Sequence, residues 1–489
     1  MSMCLKPKEN RIKQKDTPRN SGRRKGRFFC VKPFQDRARR STFWGLIAVA
    51  VFTGLVAGSS FSARAAQEGQ RELSGDQLYA QSAVLLDGES GRVLFGKEEN
   101  KPMANASTTK ILTCITVLEN CDWDEELTVS AYAASMPKVK LGLRRGEKYR
   151  VKDLLYSMML ESHNDSAAAL AEHVGRKWVT ELSGKDTAEY GKEESMEALN
   201  AFADKMNAKA LEIGCSDTYF ITPNGLDAER KVTDADGREQ ILEHHTTARD
   251  LARILAYCIL KSPQKEDFTE ITKTGEYRFK ANGREFYCSN HNLFLQMMEG
   301  AVSGKTGYTG KAGYCYVGAL EQDGRYYVVA LLACGWPDHK TYKWQDTRKL
   351  MQYGMDHFRR IDLSKEGYAF PEKALPGIRV KGAEADFPCR EKRIGLRIAG
   401  RGEGEFGVLI REDEKIGVEV LLPEEILAPV RKGQKVGEIR YMLGGEILLT
   451  ENVEVAQEAE KWNYLWCLRQ LFGRYRDCRL IPKSELSSN

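Results

Sequence analysis

The chain has 489 residues, 42% of them hydrophobic and 29% charged, with a formal net charge of +5. That length exceeds one ordinary core and that balance belongs to a folded protein, so a single small domain and a disordered chain are both excluded. The first forty residues carry the excess charge, fourteen Lys and Arg against Glu9, Asp16 and Asp36, and the slightly acidic remainder excludes a chain-wide nucleic-acid surface.

Residues 1–42 read as a basic leader. Phe43 to Phe61 is apolar or small, carries no charge, and ends in Ala63-Arg64-Ala65-Ala66. A positive flank, a hydrophobic stretch and an A-x-A site describe a secretory signal over residues 43–66, with cleavage after Ala65. Gly54, Gly58, Ser59 and Ser60 dilute the stretch, and an uncleaved anchor is the alternative. In either case the basic flank stays in the cytoplasm and the rest is exported.

Ala83 to Phe95 predicts a hairpin turning at Asp87-Gly88-Glu89-Ser90-Gly91. A helix follows over Thr108–Glu119. Val151 to Val174 gives two helical patterns broken at Ser162-His163-Asn164, and the charge-rich Lys177–Ser195 reads as an insertion loop. Met196–Ile213 is helical with Gly214 as its stop, and Thr246–Leu260 is helical with Thr246 or Thr247 as N-cap. Strands are expected at Tyr277–Lys280, Glu285–Tyr287, Gly313–Leu320 and Tyr326–Ala333, then a covering helix at Asp346–Phe358. From residue 371 to 456 short strand-like runs separated by Gly and Pro predict a small β-rich domain. Residues 461–479 crowd Trp462, Tyr464, Leu465, Trp466, Leu468, Leu471, Phe472 and Tyr475 among Lys461, Arg469, Arg474, Arg476 and Arg479. This is the pattern of a basic amphipathic helix at a membrane surface, against the alternative of packing on the β domain.

Cys114, Cys121, Cys215, Cys258, Cys288, Cys315, Cys334 and Cys389 are scattered and form no CxxC or zinc spacing. They read as small buried hydrophobes with at most one bridge. His244-His245 lacks an acidic partner at helical spacing, so neither a metal nor any other cofactor is expected.

Three short strings carry chemistry. Ser107-Thr108-Thr109-Lys110 sets a hydroxyl and an amine at i and i+3 on one helix face, where the amine reaches the hydroxyl. Ser135–Lys138 and Ser262–Lys265 repeat the spacing, but each carries a proline and is discounted. Ser162-His163-Asn164 offers a proton-relaying hydroxyl and an amide, with His163 either narrowing the cleft or facing solvent. Lys305-Thr306-Gly307 offers a cation and a hydroxyl beside a glycine that lets substrate approach the strand. Lys273-Thr274-Gly275 is a decoy that runs into charged residues.

Together these strings are the signature of penicillin-binding proteins and class A β-lactamases. Asn105-Ala106-Ser107-Thr108-Thr109-Lys110, Asn164-Asp165-Ser166-Ala167, Gly225-Leu226-Asp227 and Thr247-Ala248-Arg249-Asp250 resemble the D-alanyl-D-alanine carboxypeptidases among them. The resemblance implies an α/β (α+β) chain: a penicillin-binding-protein-like transpeptidase fold, with an antiparallel sheet and a helical subdomain over residues 67–362, then a small all-β domain. It implies Ser107 as acylated nucleophile, Lys110 as base and Ser162 as proton relay. Asn164, Lys305, Thr306, Gly307 and Tyr308 would bind substrate, with the backbone N–H groups of Ser107 and Tyr308 as oxyanion hole. The expected partners are a peptidoglycan pentapeptide, β-lactams as covalent inhibitors, and the outer face of the cytoplasmic membrane; no nucleic acid is expected. A carboxylate-holding arginine common in the family is missing, with Lys340 or Lys343 as substitutes. A β-lactamase would need a deacylating Glu that is not apparent, and an inactive cell-wall binder would not keep all these groups.

Overall fold

The computed structural model describes residues 27–29, 73–233, 237–365, 367–385, 391–400 and 406–479. The expected leader and signal lie outside these residues, except for Arg27–Phe29. Those three residues pair antiparallel with Val418–Val420.

The chain divides into two compact units, one of residues 36–365 with 405–414, the other of 366–404 with 415–489 and the N-terminal 1–35. In the first, a five-stranded sheet is built from β1 (Ser82–Asp87), β2 (Val93–Lys97), β3 (Ala301–Thr309), β4 (Gly313–Gln322) and β5 (Arg325–Leu332), in the order β3-β4-β5-β1-β2. All pairs are antiparallel. Side chains alternate across β5. Val328, Ala330 and Leu332 face one core, which includes Ile111, Ile115, Leu154 and Leu170; Tyr327, Val329 and Leu331 face another with Leu350 and Met351. Each buried Val or Leu among them contributes roughly 1.5–3 kcal/mol by leaving water, so the sheet is fixed from both faces.

The helices on the first face are α1 (Lys110–Leu118), α2 (Val151–Leu160), α3 (Asn164–Gly175), α4 (Lys192–Ile213), α5 (Ala248–Ala256) and α6 (Lys265–Lys273); α7 (Tyr342–His357) lies on the second. The break between α2 and α3 falls on the expected Ser162-His163-Asn164, where Ser162 takes a φ of +66°. Thr247 caps α5, its side chain accepting from Asp250 N at 3.0 Å. Gly214 ends α4 at φ +89°. Helix α4 starts at Lys192, inside the expected loop, because Glu194 closes a capping interaction on Gly191 N at 2.8 Å. Helix α6 was not expected: its charged sequence hides Phe268 and Ile271, which are buried.

The β-rich region departs from the expected continuous span of 371–456. Gly407–Ile410 returns to the first unit and pairs with Arg359–Asp362. Leu409 N donates to Asp87 Oδ2 at 2.9 Å, Arg92 bonds Leu409 O at 2.5 Å, and Arg92 pairs with Glu414. The second unit holds Gly417–Leu421, Lys435–Leu443, Glu446–Val455 and Leu396–Ile398 in one sheet, and Ile378–Lys381, Lys392–Ile394 and Glu425–Leu427 in another. A last helix, α8 (Tyr464–Arg479), follows Asn463, whose side chain accepts from Trp466 N at 2.9 Å. No helix among the described residues is long and apolar enough to cross a membrane. The described cysteines 114, 121, 215, 258, 288, 315, 334 and 467 are all free, and six of them are buried.

Candidate active site

The Ser107–Lys110 string folds as a tight turn, Ala106–Thr109, feeding α1. Asn105 holds the turn by donating to Thr108 Oγ1 and Thr109 Oγ1 at 3.0 and 2.9 Å, and Ala106 sits in the left-handed region at φ +50°. Lys110 follows as the first residue of the helix and is wholly buried. Its Nζ stands 2.8 Å from Ser107 Oγ, 2.9 Å from Asn164 Oδ1 and 2.7 Å from the backbone oxygen of Asn224.

Burial, reinforced by the charge of Lys305 and opposed by Asp165, pushes the Lys110 ammonium well below its ordinary pKa. A neutral amine has two N–H donors and one lone pair. The two carbonyl oxygens, Asn164 Oδ1 and Asn224 O, take both donors. The lone pair is then left for Ser107, whose hydroxyl can donate to it.

Strand β3 carries Lys305, Thr306, Gly307 and Tyr308 past this turn. Lys305 Nζ donates to Ser162 Oγ and to Thr306 O, each at 3.0 Å. Burial lowers the Lys305 ammonium to about 7, with Glu161 the carboxylate that opposes the shift. Gly307 lies tightly against the Ser107 turn. A Cβ there would stand 2.9 Å from Asn105 O and 3.0 Å from Ser107 N, so the glycine admits the nucleophile turn itself against the strand. Thr306 is half-buried, and Tyr308 is exposed with its ring 4.7 Å from that of Tyr314.

His163 is corrected. It does not face solvent: it is buried, and its Nδ1 lies 2.8 Å from Ser157 Oγ, which in turn meets Ser166 Oγ at 2.8 Å. The neighbouring Asp165 accepts from Leu141 N, Gly142 N and Leu143 N, while Asn164 donates from its backbone N to Val139 O and from Nδ2 to Pro137 O, which pins the 137–143 loop beside the site. Lys343 is buried, its Nζ 4.7 and 4.9 Å from the Tyr314 and Trp344 rings and bonded to Lys340 O at 2.5 Å; Lys340 is exposed.

The decoys fall elsewhere. Ser135 Oγ donates to Tyr132 O and Thr274 Oγ1 to Glu270 O, each at 2.7 Å within its own turn, and Ser262 Oγ donates to the distant Glu119 at 2.7 Å. Asn224, which none of the sequence motifs includes, also reaches the site. Its contribution is a backbone oxygen, which no side-chain pattern announces. Gly225 next to it is required: at φ +80° its Cβ would meet Ala106 O at 1.9 Å. Cys121, Glu125 and His173 bring ligand-type atoms within 4.8 Å of one another, but Lys177 Nζ already lies 3.1 and 3.2 Å from the two Glu125 oxygens and neutralises them.

A family model described as D-alanyl-D-alanine carboxypeptidase matches residues 66–178 and 195–333, skipping most of the stretch read as an insertion. Another, the C-terminal domain of penicillin-binding protein 5, matches residues 410–461. The chain is 27% identical to D-alanyl-D-alanine carboxypeptidase DacF of Bacillus subtilis over 423 residues, covering 84% of this chain and 94% of that one. It is 27% identical to DacC of Escherichia coli over 424 residues, 82% and 92% of the two chains. Penicillin-binding protein 5 of Haemophilus influenzae shares the fold at a TM-score of 0.57 and 22% identity, over 80% of this chain and 100% of that one.

Proposed function

The chain belongs to the D-alanyl-D-alanine carboxypeptidase family, and we propose that its Ser107 carries the acyl group while the terminal D-alanine of a peptidoglycan stem peptide is released. The protein is a serine-type hydrolase of the cell wall and a penicillin-binding protein. Its substrate places its action outside the cytoplasm.

The reading of the site rests on one observation, the convergence of Ser107 Oγ, Asn164 Oδ1 and Asn224 O on Lys110 Nζ. Ser107 Oγ attacks the carbonyl of the penultimate D-alanine as its proton passes to the Lys110 lone pair. The C–N bond breaks, and the leaving amine takes a proton through Ser162, whose hydroxyl is held by Lys305. Water then attacks the ester, Lys110 takes its proton, and Ser107 is restored. Lys305 and Thr306 receive the terminal carboxylate, Asn164 holds the substrate amide, and the N–H groups of Ser107 and Tyr308 stabilise the oxyanion. Gly307 keeps the strand close enough to Ser107 for one ligand to touch both. In a β-lactam the broken amide stays tethered, so the acyl-enzyme persists.

The catalytic domain spans residues 67–362, extended by the returning strand at 407–410, and the β-rich domain takes the remainder to residue 456. The basic leader at 1–42 and the signal or anchor at 43–66 deliver the protein to the outer face of the membrane. Trp462, Tyr464, Leu465, Leu471 and Phe472 are all more than half exposed, beside Lys461 and Arg469, which supports an interfacial role for the helix at 461–479.

Mass spectrometry of the protein after penicillin treatment tests the assignment. The adduct is expected on the peptide bearing Ser107 and absent in Ser107→Ala; an adduct on another residue, or full peptidase activity in Ser107→Ala, would overturn it.

A further inference from the structure

His244 stands outside every motif used above, yet it touches both halves of the site. Its Nδ1 lies 3.0 Å from Ile221 N and 3.3 Å from Thr222 N. Both are backbone donors, so Nδ1 is the acceptor and the ring proton sits on Nε2. Nε2 lies 2.9 Å from Thr109 Oγ1, and Thr109 passes the chain on by donating to Ala106 O at 2.9 Å. The ring thus ties the 221–225 loop to the turn that bears Ser107. That loop ends in the Asn224 oxygen on Lys110. With both nitrogens engaged, the ring has no lone pair for a metal.

We propose that His244 is a positioning residue for acylation, holding the Asn224 carbonyl against Lys110 so that the amine lone pair faces Ser107. The proposal rests on Lys110 being the base. The ring is suited to this as a fixed, neutral connector. It is buried, its face lies against Phe220 at 5.1 Å, and burial, with His245 and Lys110 nearby, lowers its pKa to about 3. A cationic ring would lose the acceptor that the Ile221 and Thr222 amides need.

Loss of the Asn224 acceptor has a signed consequence. A carbonyl stabilises an ammonium more than an amine, so removing it lowers the Lys110 pKa further and moves the acidic limb of acylation to lower pH, while the unaimed lone pair slows the step. The other groups facing Lys110 are Lys305, Asp165 and His163, and none is altered by a change at His244.

The experiment uses the full chain with His244→Leu, His244→Gln and Thr109→Val. A fluorescent penicillin at saturation counts folded sites, and the second-order acylation rate per labelled site is followed from pH 5 to 9. His244→Leu and Thr109→Val are expected to acylate roughly tenfold or more slowly per site with the acidic limb displaced to lower pH. His244→Gln, which can both accept and donate, should recover part of the rate. An unchanged per-site rate and limb in either variant would overturn the proposal. Nitrogen-15 spectra of the wild-type imidazole give a readout independent of folding of the variants. The Nε2–H tautomer should persist from pH 5 to 8, and a titration near 6.5 would refute it. Lys110→Met is the control: if it labels at the wild-type rate, the reading of Lys110 as base fails, whatever His244 does.

Discussion

Lys305 donates to Ser162 Oγ at 3.0 Å from a position that is buried and has Glu161 as the carboxylate in its field. This pair joins the strand that would grip the substrate carboxylate to the hydroxyl that would hand a proton to the leaving amine. A buried ammonium near neutrality is a charge that substrate itself can secure, because an arriving carboxylate favours the protonated form.

Activity should therefore fall on the alkaline side in a substrate-dependent way. Lys305 is charged below about pH 7 and loses its charge as pH rises through that value in the empty site. For a peptide ending in free D-Ala-D-Ala, kcat/KM is expected to decline above this region. For the same peptide with a C-terminal amide, that limb should be absent. Parallel pH profiles check the difference.

Replacing Lys110 by Met should slow penicillin acylation on the order of a thousandfold while secondary structure is retained. Arg at the same position should do no better, since a guanidinium cannot shed its proton to act as base. Stopped-flow labelling and circular dichroism give both readings.

Two glycines with similar backbone angles should behave differently. Gly225→Ala adds a Cβ 1.9 Å from Ala106 O at φ +80°, whereas Gly214→Ala at φ +89° meets nothing within 4 Å. The second should cost about 1–2 kcal/mol of backbone strain and keep full penicillin labelling. The first should lose labelling as well as melting temperature, because the displaced atoms belong to the nucleophile turn.

Glu172 is a buried carboxyl, and burial raises its pKa to about 7 against the opposing effect of the Ser130 and Ser195 hydroxyls. The native state then holds a proton that the unfolded chain releases above about 4.5. Stability is full below that value and falls as pH rises toward 7, by roughly 3 kcal/mol in total. Glu172→Gln, which mimics the protonated acid, should raise the melting temperature at pH 8 and leave it nearly unchanged at pH 4.

Removing residues after Lys461 should abolish flotation of the protein with anionic liposomes and leave hydrolysis of a soluble peptide intact. Equal flotation with and without the tail would exclude an interfacial role for its exposed aromatics.

Much of the architecture was legible because it rests on period and punctuation. The hairpin from Ser82 to Lys97, the break at Ser162 and the Thr247 cap are each written in side chains. The i, i+3 spacing of Ser107 and Lys110 likewise predicts the observed contact. What escaped is carried by backbone atoms or by packing. The Asn224 oxygen has no residue type to mark it. The fit of Gly307 against Ser107 depends on a strand from the far end of the domain. His163 turns inward because Ser157, whose hydroxyl also meets that of Ser166 on the next helix, offers its ring a partner.

The strand at Gly407–Ile410 constrains how such a chain can be cut or recombined. A truncation at Lys365 would look like a clean excision of the peptidase, yet it would bare the edge of Arg359–Asp362 and strip Asp87 of an amide that helps to hold its buried carboxyl. Tail exchange between relatives would meet the same obstacle, since ten residues deep in one module's sequence complete the other's body. Inheritance of the two parts is thereby coupled, and neither is free to drift in length around that crossing.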